Sequence, residues 1–534
     1  MAQQLIEFPV QQGIVKDTSP YSSDAGVWTS GQNVQFVDGK TQKRKGYSQI
    51  FGSLGPGGSS EIAPYWALSW ANAETNTWLY AAATKVYRIT GSTRVEITRL
   101  SGGVYASSTK WNGGVLAGIA YVNNGTDEVQ YLRQGTNNLA DLNHSDATAL
   151  APATYAKWQS TYTSAKMLRP FKQFLVAMDI NIGGTQQTNL VGWSDAITDY
   201  NTLPKWDITD ATQDAGEVEL SSTDGKVLDG QSLKDIFIIY KEDAVWAMQH
   251  IGGDFVFKFT NIFDDVGMLT DNCVASFDGK HFVVGRDDVY VHNGVTKESV
   301  ISKRMRKFLF NRIEPAKYDL TYVVPNYTAN EMWICYVPIG GTGFTTKALV
   351  WNWLDNTWSG EIDIPESSFA TFGVVNDEVT DYSWGEAGTW EDDATSWDDS
   401  SYNPTNRTIV FCSPITANKA LDQADSTNQA DGTSYLAFVE KTGINIGTSE
   451  KIKYISGMIP RISGSGNVDI YVGGEYVPNA GVTWDGPVSF NIGTDYKADF
   501  KASGRYLGVR FESTDNNAWS LEGYDVILDG ESAR

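Results

Sequence analysis

The sequence predicts an all-β protein: a β-propeller-like body followed by a C-terminal antiparallel β-sandwich of jelly-roll type. Three observations predict it. The chain is rich in the residues of strands and tight turns, with 51 Gly, 18 Trp, 26 Tyr and 22 Phe among 534 residues. A hairpin unit returns along most of its length. Near Pro404 that rhythm gives way to alternating strands separated by Gly, Asn and Asp turns. With 12% aromatic residues the chain has ample apolar surface to bury, so it is not disordered. Its length exceeds what one hydrophobic core supports, so about two to four domains are expected.

The recurring unit is clearest in "VYRITG" (86–91) and "VYVHNG" (289–294), which share Val-Tyr-x-x-x-Gly. Each follows an apolar strand and a polar turn, "TWLYAAATK" in one case and "KHFVVGRDD" in the other. "IFIIYKEDAVWAMQHIGG" (236–253) repeats the design with Trp246 in the aromatic place. Looser copies begin at 34 ("VQFVDG"), 129 ("VQYLRQG"), 191 ("VGWSDA") and 350 ("VWNWLDNTW"), so starts lie 43 to 62 residues apart. An inner apolar strand, a turn, an alternating strand and an exit glycine at this spacing fit one four-stranded propeller blade per unit. The WD, kelch and Asp-box signatures are absent from the sequence.

The remaining organisation follows. Residues 1–60 read as an N-terminal arm with a first hairpin, jointed by the linker "GSLGPGGSSE" (52–61) to a propeller-like body over 61–375. Residues 376–404 form an acidic, Trp-rich loop segment, and 405–534 the sandwich, with strands such as "NVDIYVGG" and "SLEGYDVILDG". One helix is expected at 300–313, where Ile301, Met305, Phe308, Leu309 and Ile313 share a face.

Charge and motifs exclude several functions. The net charge of −23 leaves no basic footprint for gripping nucleic acid, and disfavours anionic membranes. Cys273, Cys335 and Cys412 lack metal spacing and read as free thiols in strands of a chain made in a reducing compartment. The N-terminus shows no signal peptide, and no apolar run is long enough to span a membrane. His281 and His292 face each other if Arg286 and Asp287 centre their turn, but two ligands do not make a metal site and a solvated pair is the plainer reading. No nucleophile elbow occurs, and "GGTGF" and "SGSGN" read as turns rather than phosphate cradles. No metal, cofactor or catalytic residue is therefore expected.

Between Ala348 and Asn406 stand thirteen Asp or Glu and no Lys or Arg. Trp384, Trp390 and Trp397 in this stretch are expected to anchor short loops by burying their rings. Asp392, Asp393, Asp398 and Asp399 would then form an acidic channel or tip face. Carboxylate pairs for glycoside hydrolysis and a calcium loop are the sharper alternatives, and the calcium spacing does not fit. Lys303, Arg304, Arg306, Lys307 and Arg312 on the expected helix are candidates for docking on an acidic neighbour.

From "GWSD…PKWD" through "DGQSLKDIFIIYKEDAVWAMQHIGGDFVFKFTNIFDDVGML" and "NCVASFDGKHFVVGRDDVYVHNG" to the basic segment, residues 191–313 resemble tail nozzle, or tail tubular, proteins of short-tailed bacteriophages. "GRYLGVRFESTDNNAWSLEGYDVILDG" is similar to their terminal sandwich. The resemblance implies a virion protein without enzymatic activity, assembled in the host cytoplasm into a homo-oligomeric, typically hexameric, ring. That ring would lie below an adaptor protein and carry fibre, spike or needle proteins. It would extend the DNA channel, retain packaged DNA and let it pass without specific binding. The alternative from the residues alone is a glycan-binding or glycan-hydrolysing propeller with an appended sandwich.

Overall fold

The computed structural model describes residues 4–56, 62–71, 76–91, 93–100, 102–142, 162–197, 203–253, 255–375, 407–415 and 418–532. Its first strands of successive four-stranded antiparallel units are Trp66–Ala71, Asn112–Leu116, Tyr162–Phe171, Val227–Leu233, Val274–Phe277, Tyr322–Asn326 and Phe369–Val374. Each packs beside the next, and Phe369–Val374 packs beside Trp66–Ala71, so the ring closes as a seven-bladed β-propeller. Blades one to six take all four strands from consecutive sequence. Blade seven pairs Phe369–Val374, Arg407–Ile415 and Asn418–Ala424, and is completed by Tyr47–Ile50 from near the N-terminus.

The sequence repeat marks one place in this ring. Val86–Thr90, Gln130–Leu132, Thr185–Trp193, Ala244–His250, Val289–His292 and Thr345–Asn352 are the third strands of blades one to six. "IFIIY" is a second strand, not the innermost one, and reads as an apolar run because both its faces are covered. Phe237 and Ile239 pack with Val176 and Met178 of blade three, while Ile238 and Tyr240 join the core with Phe282 and Val283 of blade five. In blades two to five the first hairpin turns in two residues, as between Leu116 and Ile119 or Phe277 and Lys280. Both central residues there have positive φ, 50° and 77° at Ala117–Gly118 and 42° and 69° at Asp278–Gly279. That is the tight turn whose twist matches the strands, and glycine takes the second position without strain.

The sandwich differs from the expected domain plan. One of its sheets has the order Val34–Val37, Lys40–Lys43, Trp519–Ser532, Ile452–Gly464, Ala498–Gly504, with Gln4–Phe8 also on Trp519–Ser532. The other contains Ala437–Ile444, Tyr506–Ser513, Asn467–Glu475 and Thr483–Asn491. Ser30–Gln32 pairs with Ala437–Ile444 on one side and with the last strand of blade six, Thr357–Ser367, on the other. Blade six and this sandwich sheet are therefore one nine-stranded sheet. The expected N-terminal arm is not an arm, because its strands supply both sandwich sheets and the closing strand of the propeller. "VQFVDG" accordingly belongs to the sandwich rather than to a blade. The boundary expected at 405 lies instead between Ala424 and Ala437, since Arg407–Ile415 and Asn418–Ala424 pair within blade seven.

Arg44 stands where these parts meet. It is buried with Glu331 of blade six, and its guanidinium makes a bidentate contact there and donates to Asp425, at the end of blade seven, from Nε and Nη2 at 3.2 Å each. The group lies 4.3 Å over the Trp333 ring. Burial works against the guanidinium charge, but Asp425 and Glu331 outweigh it and hold the group protonated. Beside it, Asn33 donates to Asp363 at 2.7 Å and to the Leu436 carbonyl at 2.7 Å.

Candidate functional site at the propeller axis

The first strands of a propeller converge on its axis, and here charged side chains bridge it. Lys110 lies two residues before the first strand of blade two. Its Nζ donates to Asp271 Oδ1 at 3.2 Å and to the Asp319 carbonyl at 2.7 Å, on the approaches to blades five and six. Burial opposes its charge, yet Asp271 and Asp319 raise its pKa above the usual lysine value. Arg169 of blade three reaches Asp229 of blade four with two bonds of 2.8 Å, and Asn272 Oδ1 with a third of 2.8 Å. The Asn272 backbone N–H donates to Asp229 Oδ2 at 3.0 Å, and Cys273 Sγ donates to the Thr321 carbonyl at 3.3 Å. Blades two to six are thus tied across the axis. A shallow recess remains beside Lys110, lined in part by Tyr65, Asp271, Asp319, Thr321 and Phe369.

Chemically this centre is a brace. Its carboxylates are engaged by Lys110 and Arg169. Among the described residues no group of three or more His, Cys, Asp or Glu is placed to hold a metal ion. The three cysteines are buried, Cys335 and Cys412 in strands and Cys273 one residue before one, and burial pushes all three thiols up.

Between blades four and five lies a second polar cluster. His281 and His292 are cross-strand partners, as the turn centred on Arg286 and Asp287 requires, but they are buried rather than solvated. Tyr240 of blade four joins them, its hydroxyl 2.7 Å from His281 Nδ1 and 2.6 Å from His292 Nε2. The ends of the chain set every proton. His281 Nε2 is 2.9 Å from the Ser232 carbonyl, which only accepts, so Nε2 donates and Nδ1 accepts from the tyrosine O–H. The Gly294 N–H, at 3.2 Å, only donates, so His292 Nδ1 accepts and its Nε2 donates to the tyrosine oxygen. Both imidazoles are therefore neutral. Burial lowers His281 to about 4, and burial with repulsion from His281 lowers His292 to about 3.

The residues singled out in the sequence fare differently. The expected helix over 300–313 shortens to Arg306–Phe310. Lys303 takes φ 60°, which breaks the helical path, and the Arg304 carbonyl instead accepts from the backbone N–H groups of Lys16 and Asp17. Ile301, Met305, Leu309 and Ile313 are buried, so the apolar spacing located a core segment. Its basic side chains are partly spent within the chain. Arg304 donates to the Asn356 carbonyl, Arg306 pairs with Asp287 at 2.9 Å, and Arg312 grips Glu361 through bonds of 3.0 and 2.8 Å. Lys303 and Lys307 are exposed. Trp384, Trp390, Trp397, Asp392, Asp393, Asp398 and Asp399 lie outside the described residues.

Sequence reasoning missed Arg44, Lys110, Arg169 and their partners. The one local signal is Asp229, a carboxylate inside the buried strand "VLDGQSL", which demands a partner.

No family model and no curated protein matches the chain. Among solved structures it is similar to the computationally designed Ika8 protein, at 10% identity over 78% of this chain and 99% of that one, with a TM-score of 0.38. It is also similar to the AfRom2 CNH domain, at 6% identity over 68% and 93% of the two chains, with a TM-score of 0.35. The WD40 repeats of RRP9 match at 8% identity over 58% and 88%, with a TM-score of 0.33.

Proposed function

We propose that this chain is a structural subunit of the tail of a short-tailed bacteriophage, assembled as a closed ring of six copies around a DNA channel. The observation that carries the reading is the sequence pattern over 191–313, which resembles tail nozzle proteins. Three further features support it. The net charge of −23 suits a wall along which duplex DNA slides, because each Lys or Arg contact to phosphate would hold the duplex. The propeller axis is crossed by Lys110 and Arg169, so a passage for a duplex would lie between copies rather than through one propeller. The axial carboxylates are engaged in ion pairs, which suits a scaffold better than a catalyst.

The test is the native mass and electron micrographs of the purified protein, with duplex DNA binding measured at low salt. A ring with a central opening and no DNA retention is expected. A monomer at all concentrations whose tryptophan fluorescence responds to soluble oligosaccharide would favour a glycan-binding propeller instead. Tight, salt-sensitive DNA binding would also overturn the proposal.

A further inference from the structure

The strand that completes the propeller, Tyr47–Ile50, pairs with Asn418–Ala424 over four residue pairs, and Asp422 lies in that seam opposite Gln49. The Asp422 side chain is fully buried. Its Oδ2 accepts from Ser413 Oγ at 2.5 Å, while its Oδ1 meets no hydrogen-bond donor among the described residues. Gln49 does not help, since its amide donates to the Gly52 carbonyl at 3.1 Å. The cross-strand neighbour on the other side is Phe411, part of the apolar core between blades six and seven.

Among the described residues, the charged groups around this seam bring no compensating cation. On the closing strand stands Tyr47, and in the turn beyond Asn418–Ala424 stands Asp431, whose backbone N–H is bonded to the Tyr47 carbonyl at 2.8 Å. Asp425, at the strand's end, is engaged by Arg44. On blade six, Asp363 is engaged by Lys347, Gln32 and Asn33. Lys419 lies three residues from Asp422 on the same strand and so points to the opposite face, and Arg407 is exposed at the start of the neighbouring strand.

We propose that Asp422 is a proton-operated latch on the closing strand: the protonated carboxyl keeps Tyr47–Ile50 paired, and its ionisation loosens that pairing. The neutral acid leaves no charge in the seam. The carboxylate places an anionic oxygen without a donor between Phe411 and the closing strand, a costly arrangement in an apolar site. The segment free to yield is the short strand that reaches blade seven from a distant part of the chain. Burial, opposed by the Ser413 bond and reinforced by Asp431, raises the carboxyl from 3.8 to about 6. A raised acid contributes stability that is complete below the unfolded value and is lost as pH rises through the folded one.

Hydrogen–deuterium exchange, corrected for intrinsic rates, tests this on the whole protein. Between pH 5 and 7.5 the opening constant of amides in 47–50 should rise about tenfold, as linkage between 3.8 and about 6 requires. Ile119–Asn123 of blade two serves as the reference strand and should show no such rise. Asp422→Asn should abolish the rise. An unchanged 47–50 in the native protein, or the same rise in Asp422→Asn, overturns the proposal. Should that variant not fold, Ser413→Ala is the second test, since loss of its bond should move the transition to higher pH. A transition that stays in place would equally refute the latch.

Discussion

Tyr240→Phe removes one hydroxyl and almost no volume from the seam between blades four and five. The hydroxyl accepts from His292 Nε2 and donates to His281 Nδ1, so its loss leaves two buried ring nitrogens without partners. Each such group costs about 1–3 kcal/mol, giving about 2–6 kcal/mol at pH 7.5. The same geometry dictates a pH response. A histidine whose folded pKa is depressed contributes stability that is complete above its unfolded value of 6.5 and is lost as pH falls toward the folded values of about 4 and 3. At pH 5 each histidine has lost about 2 kcal/mol, so the pair has lost about 4 kcal/mol relative to neutral pH. Asp422 titrates in the opposite sense over the same window, so the series belongs in an Asp422→Asn background. The assay is urea unfolding followed by tryptophan fluorescence, from pH 7.5 to 5. A Tyr240→Phe protein within 0.5 kcal/mol of its parent, or a parent whose stability stays flat from pH 7 to 5, would show that the proton assignment is wrong.

Other outcomes are expected. Arg44→Ala strands Glu331 and Asp425 in a buried junction and should cost about 3–5 kcal/mol in thermal or denaturant unfolding, with Arg44→Lys recovering only part because one ammonium cannot replace a fork of donors. Lys110→Ala removes a partly exposed brace and should cost no more than about 1 kcal/mol by the same measurement. Reversing Lys303 and Lys307 to Glu should leave unfolding midpoints unchanged but slow assembly of the proposed ring, most at low salt, as followed by light scattering; equal rates at every ionic strength would place this basic face outside any interface.

Much of the fold was legible because blade geometry writes itself locally. The third strands of blades one to six carry an aromatic, followed in blades one, two, four and five by a glycine four to six residues on, and six of the seven quoted copies mark such strands. Blade seven escaped because "NKALDQA" has no aromatic and because its fourth strand comes from residues 47–50. The pairing of Gln4–Phe8 with Trp519–Ser532 escaped for the same reason, since no local pattern encodes a partner more than 500 residues away. In the segment 300–313 the apolar spacing identified buried residues correctly. The helix was shorter because backbone conformation at Lys303 and tertiary bonds to Lys16 and Asp17 overrode propensity. The register of His281 with His292 could be read from one turn. Their burial could not, because Tyr240 belongs to another blade. The axial pairs span 60 residues for Arg169 and Asp229 and 161 for Lys110 and Asp271, and only the buried Asp229 advertised its need.

The shared nine-stranded sheet and the closing strand also impose an order on synthesis. Residues 4–50 leave the ribosome well before their partners, since Tyr47–Ile50 pairs with 421–424 and Gln4–Phe8 with 524–528. At about 5–20 residues per second, the first strand waits roughly half a minute to nearly two minutes for its partner to be made. Throughout that interval its edge, and those of Ser30–Gln32 and Tyr47–Ile50, stay open to any other unpaired strand in the cell. Crowded polysomes making this chain should therefore depend on chaperones that shield the N-terminal segment, and slowing elongation should lower the yield of soluble protein rather than raise it.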